Sequence, residues 1–585
     1  MIVLGITETH CATAAVLRDG AIVGCASEER FSRIKNDAGY PRQAIDAVLR
    51  DLGIAATEVD LVALAGRKAY PREWMNRVLH DTEYARAYYG VRLDRPRAGL
   101  GRRARKLGAR LGLGGGASGK TTISDAERIG LVTHHLGVPR ARIVAFDHHA
   151  CHAASAYFGA PFQGRDAVVL TNDNSGDGLC ATASRATGTA ITRLEAASSA
   201  PGSLGSFYSF ATLLLGMKFG EDEFKVMGLA RYASDTASAQ AAAAMSDVFG
   251  LVADEPALFA WTRRGPRYRQ LLEATLGLRF DAVAGGTQMI LEETLLRWTR
   301  LMHERYGGDR LALGGGVFMN VKANMLLAAE DWVRELFVMP SCGDESNAIG
   351  AAYLGYLRLC DELGVSPAPR ALGPAYLGTD LDATEIEATL RRRDVTARHR
   401  VTEHERMEEK IAELLVADGV VARCAGRMEF GARALGNRSI LAHPAHPRVV
   451  TLINTMIKMR DFWMPFAPSI LCETADEYLV NPKGFASPYM MLAFPTKPTR
   501  RDEILAAIHP QDATTRPHIV EEAWNPSYHR LISEFRRLTG IGAVLNTSFN
   551  LHGEPIVCSP DDAVDTFERS GLPHLALGRW LISKK

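Results

Sequence analysis

Short apolar runs separated by polar stretches mark the chain from its first residues. "IVLGI" (2–6) reads as a strand, "TETHC" (7–11) as a loop and "ATAAVLR" (12–18) as a second strand. Asp19-Gly20 then makes a tight turn into "AIVGCAS" (21–27). The pattern returns later. "AVVLTND" (167–173) is a strand, "NSGDG" (174–178) a loop and "LCATAS" (179–184) another strand. Each first loop is polar, with Thr7, Glu8, Thr9 and His10 in one and Asp173 and Asp177 in the other. Two such hairpins predict a duplicated α/β unit whose paired loops face each other across a cleft.

The period then lengthens. Leu291, Leu295, Trp298 and Met302 fall on one helical face. "DRLALGGGVFMNVKAN" (309–324) reads as strand, glycine turn and helix. "LFVMPSCGDESNAIGAAYLGYL" (336–357) reads as strand, polar loop and a helix rich in small residues. This alternation predicts an α/β fold. Periodicity breaks at "GVSPAPRALGPAYLG" (364–378), where three prolines intervene. We expect the domain boundary there, giving domains 1–368 and 369–585.

Length supports two domains, because 585 residues exceed the roughly 300 that one hydrophobic core sustains. The 68 basic and 67 acidic residues leave a net charge of +1, which argues against a protein that neutralises phosphates over a broad nucleic-acid surface. The nine cysteines form no CxxC pair, so structural zinc is not expected and reduced thiols in a cytoplasmic protein are. "MIVLGITETH" has no basic leader and turns polar too soon for a signal peptide. No apolar run approaches the roughly 20 residues of a membrane span, so no membrane partner is expected.

"DHHACHAASAYF" (147–158) concentrates candidate chemistry. His148 and His152 are four apart after the strand "RIVAF", with Asp147 placed as N-cap. On a helix that spacing puts both imidazoles on one face, which suits one metal ion and equally suits a hydrogen-bonded pair. Asp173 and Asp344 lie at strand ends, where α/β folds place ligands, and favour the metal. His149 points about a third of a turn away.

Gly314, Gly315 and Gly316 follow a strand and permit close backbone approach to a phosphate or ribose. Lys225, in "GEDEFKVMGLA" (220–230), is either a phosphate contact or an exposed charge. "GGGASGKT" (114–121) matches the P-loop pattern, but a basic, glycine-broken segment precedes it instead of a buried strand, so it reads as a basic loop. In the C-terminal part, Arg427, Arg433, Arg438, Lys458, Arg460 and Arg516 sit on short loops with Asn546, Thr547 and Ser548. Together they suggest a converging anion pocket, a phosphate site by spacing alone.

These motifs, in order and over essentially the whole chain, resemble the O-carbamoyltransferases of natural-product biosynthesis. The blocks that carry the resemblance include "GITETHCATAAVLRDGAIVGCASEERFSRIK", "DHHACHAASAYF", "EFKVMGLA", "LALGGGVFMNVKAN", "PSCGDESNAIGAA", "GRMEFGARALGNRSILA", "RDFWMPFAPSIL" and "LNTSFNLHGEPIV". Members of that family carbamoylate aminoglycosides, ansamycins, cephalosporins and nodulation factors. The resemblance implies an α/β protein with an N-terminal duplicated actin/Hsp70-like (Kae1-like) domain and a C-terminal α/β YrdC-like domain. It implies that the second domain makes carbamoyl adenylate from carbamoyl phosphate and ATP with Mg. The first then transfers the carbamoyl group to a hydroxyl of a small-molecule, antibiotic-type acceptor.

The resemblance also assigns residues. His148, His152, Asp173 and Asp344 would hold Fe(II) or another divalent metal. Arg433, Lys458, Arg516, Asn546 and Ser548 would bind carbamoyl phosphate. Lys225, Gly314, Gly315, Gly316 and Asn320 would contact ATP or the adenylate, and His10 would be the catalytic base. Cys11, Thr7 and Asn174 depart from the residues usual in the family and bear on acceptor contacts. The competing reading is a threonylcarbamoyl-type tRNA modification fusion, which predicts a strongly basic surface. Hydrogenase maturation normally needs CxxC zinc pairs, and a sugar kinase or chaperone ATPase leaves the C-terminal residues unexplained. The acceptor's identity and a possible homodimer stay open at this point.

Overall fold

The structure is a computed structural model that describes residues 1–89, 122–251, 259–261, 267–458 and 461–585. The P-loop-like segment 114–121 and Arg460 lie outside the described residues.

The N-terminal part contains one arrangement built twice. β1 (Ile2–Thr7), β2 (Thr13–Arg18) and β3 (Ala21–Ser27) form an antiparallel meander, with Asp19 and Gly20 at positive φ in its turn. β4 (Leu61–Ala65) adds parallel to β1, and β5 (Ile143–Phe146) parallel to β4, giving the order β3-β2-β1-β4-β5. β6 (Gly164–Gly176), β7 (Leu179–Gly188) and β8 (Ala190–Ser198) repeat the meander. After the short pair β9 (Phe249–Leu251) and β10 (Phe259–Trp261), β11 (Arg310–Gly314) adds parallel to β6 and β12 (Glu335–Val338) parallel to β11. The resulting order, β12-β11-β6-β7-β8, is the first sheet's order again, with the same senses. This is the duplicated unit that the two hairpins predict.

One local expectation needs correcting. "NSGDG" is not a five-residue loop. The strand β6 continues to Gly176, and the turn is Asp177-Gly178 alone, both at positive φ. The third strand of that meander, β8, has only one buried residue, and its mostly exposed pattern hides it from a search for apolar alternation.

The two halves meet through two helices. His148–Gly159 follows β5, and Asn347–Leu363 follows β12. Small residues on the second allow close contact with the first. A Cβ on Gly350 would stand 1.8 Å from the Cys151 carbonyl oxygen, and one on Gly5 would stand 1.9 Å from that of Ala348. These helices carry His152 and begin beside Asp344, so their spacing sets the site. Gly350→Ala is therefore expected to lower stability by about 3 kcal/mol, because backbone must move. Chemical denaturation would read this directly, and an unchanged midpoint would show that the helices are not held this tightly.

The C-terminal part is built on a second kind of sheet. β13 (His399–Glu403), β14 (Val421–Cys424), β15 (Arg438–Ala442), β16 (Ala467–Leu471), β19 (His518–Val520), β20 (Ala543–Ser548), β21 (His574–Leu577) and β22 (Trp580–Lys584) make one mixed sheet of order β13-β22-β21-β14-β15-β20-β16-β19. β17 (Phe494–Pro495) and β18 (Thr514–Thr515) pair separately. The molecule is thus α/β throughout, a duplicated N-terminal half followed by a distinct α/β unit. The proline-rich stretch lies along the first sheet, where Arg370 N–H donates to the Gly20 carbonyl and Cys25 N–H to that of Leu377. One continuous apolar core runs from Leu170, Phe207 and Tyr353 to Tyr489, Tyr528 and Val544, joining the two parts. Among the described residues, no helix is long and apolar enough to cross a membrane.

Candidate functional site

The helix His148–Gly159 starts where it does because the Asp147 carboxylate accepts from Ala150 N–H as N-cap. The Asp177 carboxylate, in the β6–β7 turn, accepts from the backbone N–H groups of His148 and Arg67 and pins the same end. One turn of helix then brings His148 and His152 together, with their Nε2 atoms 3.1 Å apart. From the end of β6, Asp173 Oδ2 lies 3.2 Å from His148 Nε2 and 3.6 Å from His152 Nε2. From the loop after β12, Asp344 Oδ1 lies 3.4 Å from the first and 3.6 Å from the second.

Burial amplifies these interactions. It opposes charge on His148, but Asp344 and Asp173 outweigh it and push the imidazole up to about 9. Burial likewise opposes ionisation of Asp173, but hydrogen bonds from His148 and His152 hold it well below the usual carboxylate range. Burial opposes ionisation of Asp344 too, and the charge of His148 then lowers it. His149 is different. Burial drives it down to about 3, its Nδ1 meets Thr171 Oγ1 at 2.8 Å, and it takes no part in the cluster.

The four side chains fit a metal ion by chemistry and spacing. Their ligand atoms all lie within 4.8 Å of one another. Ligands about 2.1 Å from an ion are about 3.4 Å apart at tetrahedral angles and about 3.0 Å apart at right angles. The separations of 3.1 to 3.6 Å that involve the two imidazoles fall in and around that range. Two imidazoles with two carboxylates suit a borderline divalent ion such as Fe(II), Mn(II) or Zn(II). His152 Nδ1 is buried without a hydrogen-bond partner. Thr9 Oγ1 donates to Asp344 Oδ2 at 2.6 Å, and Asn347 Nδ2 lies 3.1 Å from His152 Nε2. Thr9 was visible only as one polar residue in a loop, and Asn347 gave no signal at all, because only the fold brings it to His152.

The cluster opens into a cavity of about 610 Å³. His10, in the β1–β2 turn, lines this cavity, near enough for its charge to act on Asp344 and Glu345. Arg433, Lys458, Arg516, Asn546 and Ser548 line the same cavity from the C-terminal part. Lys458 Nζ is buried and donates to the Ser548 carbonyl oxygen, to Ser548 Oγ at 3.2 Å and to Asn550 Oδ1. Asn546 donates to the Ala434 carbonyl and to Ser469 Oγ, leaving its buried Oδ1 without a partner among the described residues. Arg433 Nε is also buried and unpartnered. Burial lowers the affinity of that guanidinium for its proton, and nearby Glu345 partly restores it.

The expected anion pocket is narrower than its arginines suggest. Arg427 pairs with Asp51 at 2.9 Å on the far side of its loop. Arg438 is fully buried and donates to the carbonyls of Ala425, Gly426, Asn437 and Cys558, so it holds the loop together. Neither lines the cavity.

The glycine turn also divides. Gly316 and Asn320 line the cavity. Gly314 and Gly315 are tight against protein, with Cβ atoms that would stand 2.7 Å from the His152 carbonyl and 2.3 Å from that of Asn172. Their smallness serves packing behind the cluster and not ligand approach. Lys225 is buried within the helix Glu223–Leu229, between Asp222 at 3.2 Å, Asp461 at 3.4 Å and His552 Nε2 at 3.3 Å. It thus reaches across to the C-terminal part and is not a surface charge. Lys322, Asn550 and His552 also line the cavity and were not singled out from sequence.

Comparison with known proteins places these features in a family. Residues 2–353 match the profile described as Carbamoyltransferase N-terminus, and residues 412–584 that described as Carbamoyltransferase C-terminus. The chain is 31% identical over 588 residues to Nodulation protein NolNO of Sinorhizobium fredii, covering 99% of this chain and 80% of that one. It is 31% identical to the uncharacterized protein sll1178 of Synechocystis, covering 100% of this chain and 96% of that one. A shorter stretch, 46% of this chain and 48% of the relative, is 30% identical to the 3'-hydroxymethylcephem-O-carbamoyltransferase of Amycolatopsis lactamdurans.

Proposed function

Since the chain belongs to the carbamoyltransferase family, we propose that it is an ATP-dependent O-carbamoyltransferase. In this reading it moves the carbamoyl group of carbamoyl phosphate, by way of carbamoyl adenylate, to a hydroxyl of a small secondary metabolite. Residues 369–585 would form the adenylate and residues 1–368 would transfer it. The observation that carries this reading is one cavity lined by two groups of residues, Arg433, Lys458, Arg516 and Asn546 from the C-terminal part and His10, His148, Asp173 and Asp344 from the N-terminal part.

The chemistry needs such a cavity. Carbamoyl phosphate first gives up phosphate to water, and the carbamate oxygen then attacks the α-phosphorus of ATP and expels pyrophosphate. The acceptor hydroxyl attacks the carbamoyl carbon of the mixed anhydride and AMP leaves. Carbamate and adenylate are both short-lived in water, so passage within one cavity protects them. Arg433 and Arg516 supply charge for a phosphate, and the free Oδ1 of Asn546 accepts from the carbamoyl N–H₂ group. Lys458 holds Ser548 and Asn550 in place. Among the N-terminal residues, His10 accepts the proton of the acceptor hydroxyl. A divalent ion held by His148, His152, Asp173 and Asp344 would supply Lewis acidity to the carbamoyl or phosphate oxygen.

Arg433→Ala is expected to raise the KM for carbamoyl phosphate about 10- to 100-fold, the value of a lost charge-assisted hydrogen bond. Lys458→Ala should lose adenylate formation yet transfer from carbamoyl adenylate supplied ready-made. Steady-state kinetics on both substrates would check this. If Lys458→Ala fails equally with supplied adenylate, the two groups of residues do not have separate tasks.

A further inference from the structure

Next to the His/Asp cluster the cavity changes character. Tyr70, Trp74, Val78, Leu79, Tyr89 and Phe219 line it there. The helix Arg72–His80 contributes Trp74, Val78 and Leu79 from one face. Tyr70 stacks at a tilt on Trp74 with ring centroids 5.4 Å apart, and Tyr89 on Phe219 at 4.7 Å. This wall adjoins the cluster, because the backbone N–H of Arg67 is held by the same Asp177 carboxylate that holds His148. The charges of Asp177 and Asp344 also reach the Tyr70 hydroxyl.

The carboxylates that line the cavity near this wall already have partners. Asp173 and Asp344 face the imidazoles. Asp177 is taken by two backbone N–H groups. Glu221 pairs with His80 and Lys218, and Glu223 accepts from Ser209 and from Gly220 N–H. Lys35 and Lys68 line the same end and form no ion pair among the described residues. Glu345, beside Asp344, also lines the cavity, buried and close enough to Arg433 for their charges to interact. Apart from it, an ammonium-rich ligand would meet, among the described residues, only carboxylates that already have partners, and two lysines. A flat apolar body would find a preformed aromatic surface.

We infer that the acceptor is an aromatic-bodied, hydroxylated small molecule of neutral or negative charge, seated on Trp74 and its neighbours with one hydroxyl directed at His10, and not a polycationic aminosugar. This inference rests on the proposed transfer reaction. The structure gives the enzyme an acceptor subsite selected by ring stacking and by the sign of its unpaired charges.

Calorimetric titration of the full-length protein tests it with three probes. Methylumbelliferyl glucuronide has an aromatic body, hydroxyls and negative charge. Glucuronate has the hydroxyls and charge without the ring. Kanamycin is a polycationic aminosugar. The first should bind about ten-fold or more tightly than either of the others, and Trp74→Ala should weaken it by about ten-fold while Trp74→Phe largely restores it. The exposed Lys68→Glu should weaken it as well, without the risk to folding that a buried change carries. Tighter binding of kanamycin, or no binding of the aromatic probe, overturns the inference. So does a Trp74→Ala protein that binds the probe normally but has a raised KM for ATP, because the wall would then hold the nucleotide base. Carbamoyl-phosphate-dependent pyrophosphate release by the wild type, measured in a single turnover without acceptor, separates the two levels. Its absence counts against the proposed reaction, whereas its presence with the wrong probe order counts against the acceptor class alone.

Discussion

His152→Ala is expected to purify with its metal affinity reduced by about 100-fold or more and to lose transfer by roughly 1,000-fold. The reason is geometric. His152 is fully buried, its Nε2 lies 3.1 Å from that of His148, and both aspartates lean on it. Removing it leaves three donors, two of them carboxylates whose charge one imidazole must offset. His148→Ala should behave alike. Adenylate formation should continue in both, since Arg433, Lys458 and Asn546 stand on other elements. Elemental analysis of purified proteins gives a readout independent of activity. Full metal content in both variants would remove the cluster from consideration as a metal centre.

The second large effect concerns His10. His10→Ala should bind metal normally, make carbamoyl adenylate at near wild-type rate and stall at transfer, with a loss of roughly 10²- to 10⁴-fold. Raising the pH should restore part of the rate, because more of the acceptor is then ionised without help. Single-turnover transfer from supplied adenylate, at saturating acceptor, isolates this step. A rate within a few-fold of wild type at neutral pH would mean that His10 is only a turn residue. Its turn is unusual, since the following Cys11 sits at φ 57° and a non-glycine residue there carries backbone strain.

The duplicated sheet was legible because each meander begins with an apolar strand followed by a polar loop, and because Asp19-Gly20 is a strong turn signal. β8 was not, because its exposed residues follow no apolar rhythm. The spacing of His148 and His152 already put both imidazoles on one helical face. Choosing Asp173 and Asp344 as companions drew on strand ends and family resemblance together. Sequence could not show that Arg427 and Arg438 turn into the protein while Arg433 faces the cavity. Arg427 and Arg433 sit in one glycine-rich loop and Arg438 opens β15 directly after it, where its hydrogen bonds to four carbonyls hold it inside the protein. The glycine run 314–316 misled for a related reason. Close approach was the right physical need, but for two of the three glycines the approaching backbone is the protein's own. The aromatic wall was invisible for a simpler reason. Tyr70, Trp74, Tyr89 and Phe219 are spread over 150 residues, and nothing in their spacing brings them to one surface.

In the proposed reaction, one cavity converts carbamoyl phosphate to an adenylate before transfer. The most direct measurement is nucleotide product analysis with labelled carbamoyl phosphate, ATP and hydroxylamine as a small nucleophile in place of the acceptor. The account predicts AMP, pyrophosphate and phosphate in equal amounts, all dependent on carbamoyl phosphate, with the label recovered as hydroxyurea. Formation of ADP in place of AMP, or labelled hydroxyurea with no cleavage of ATP, would contradict it.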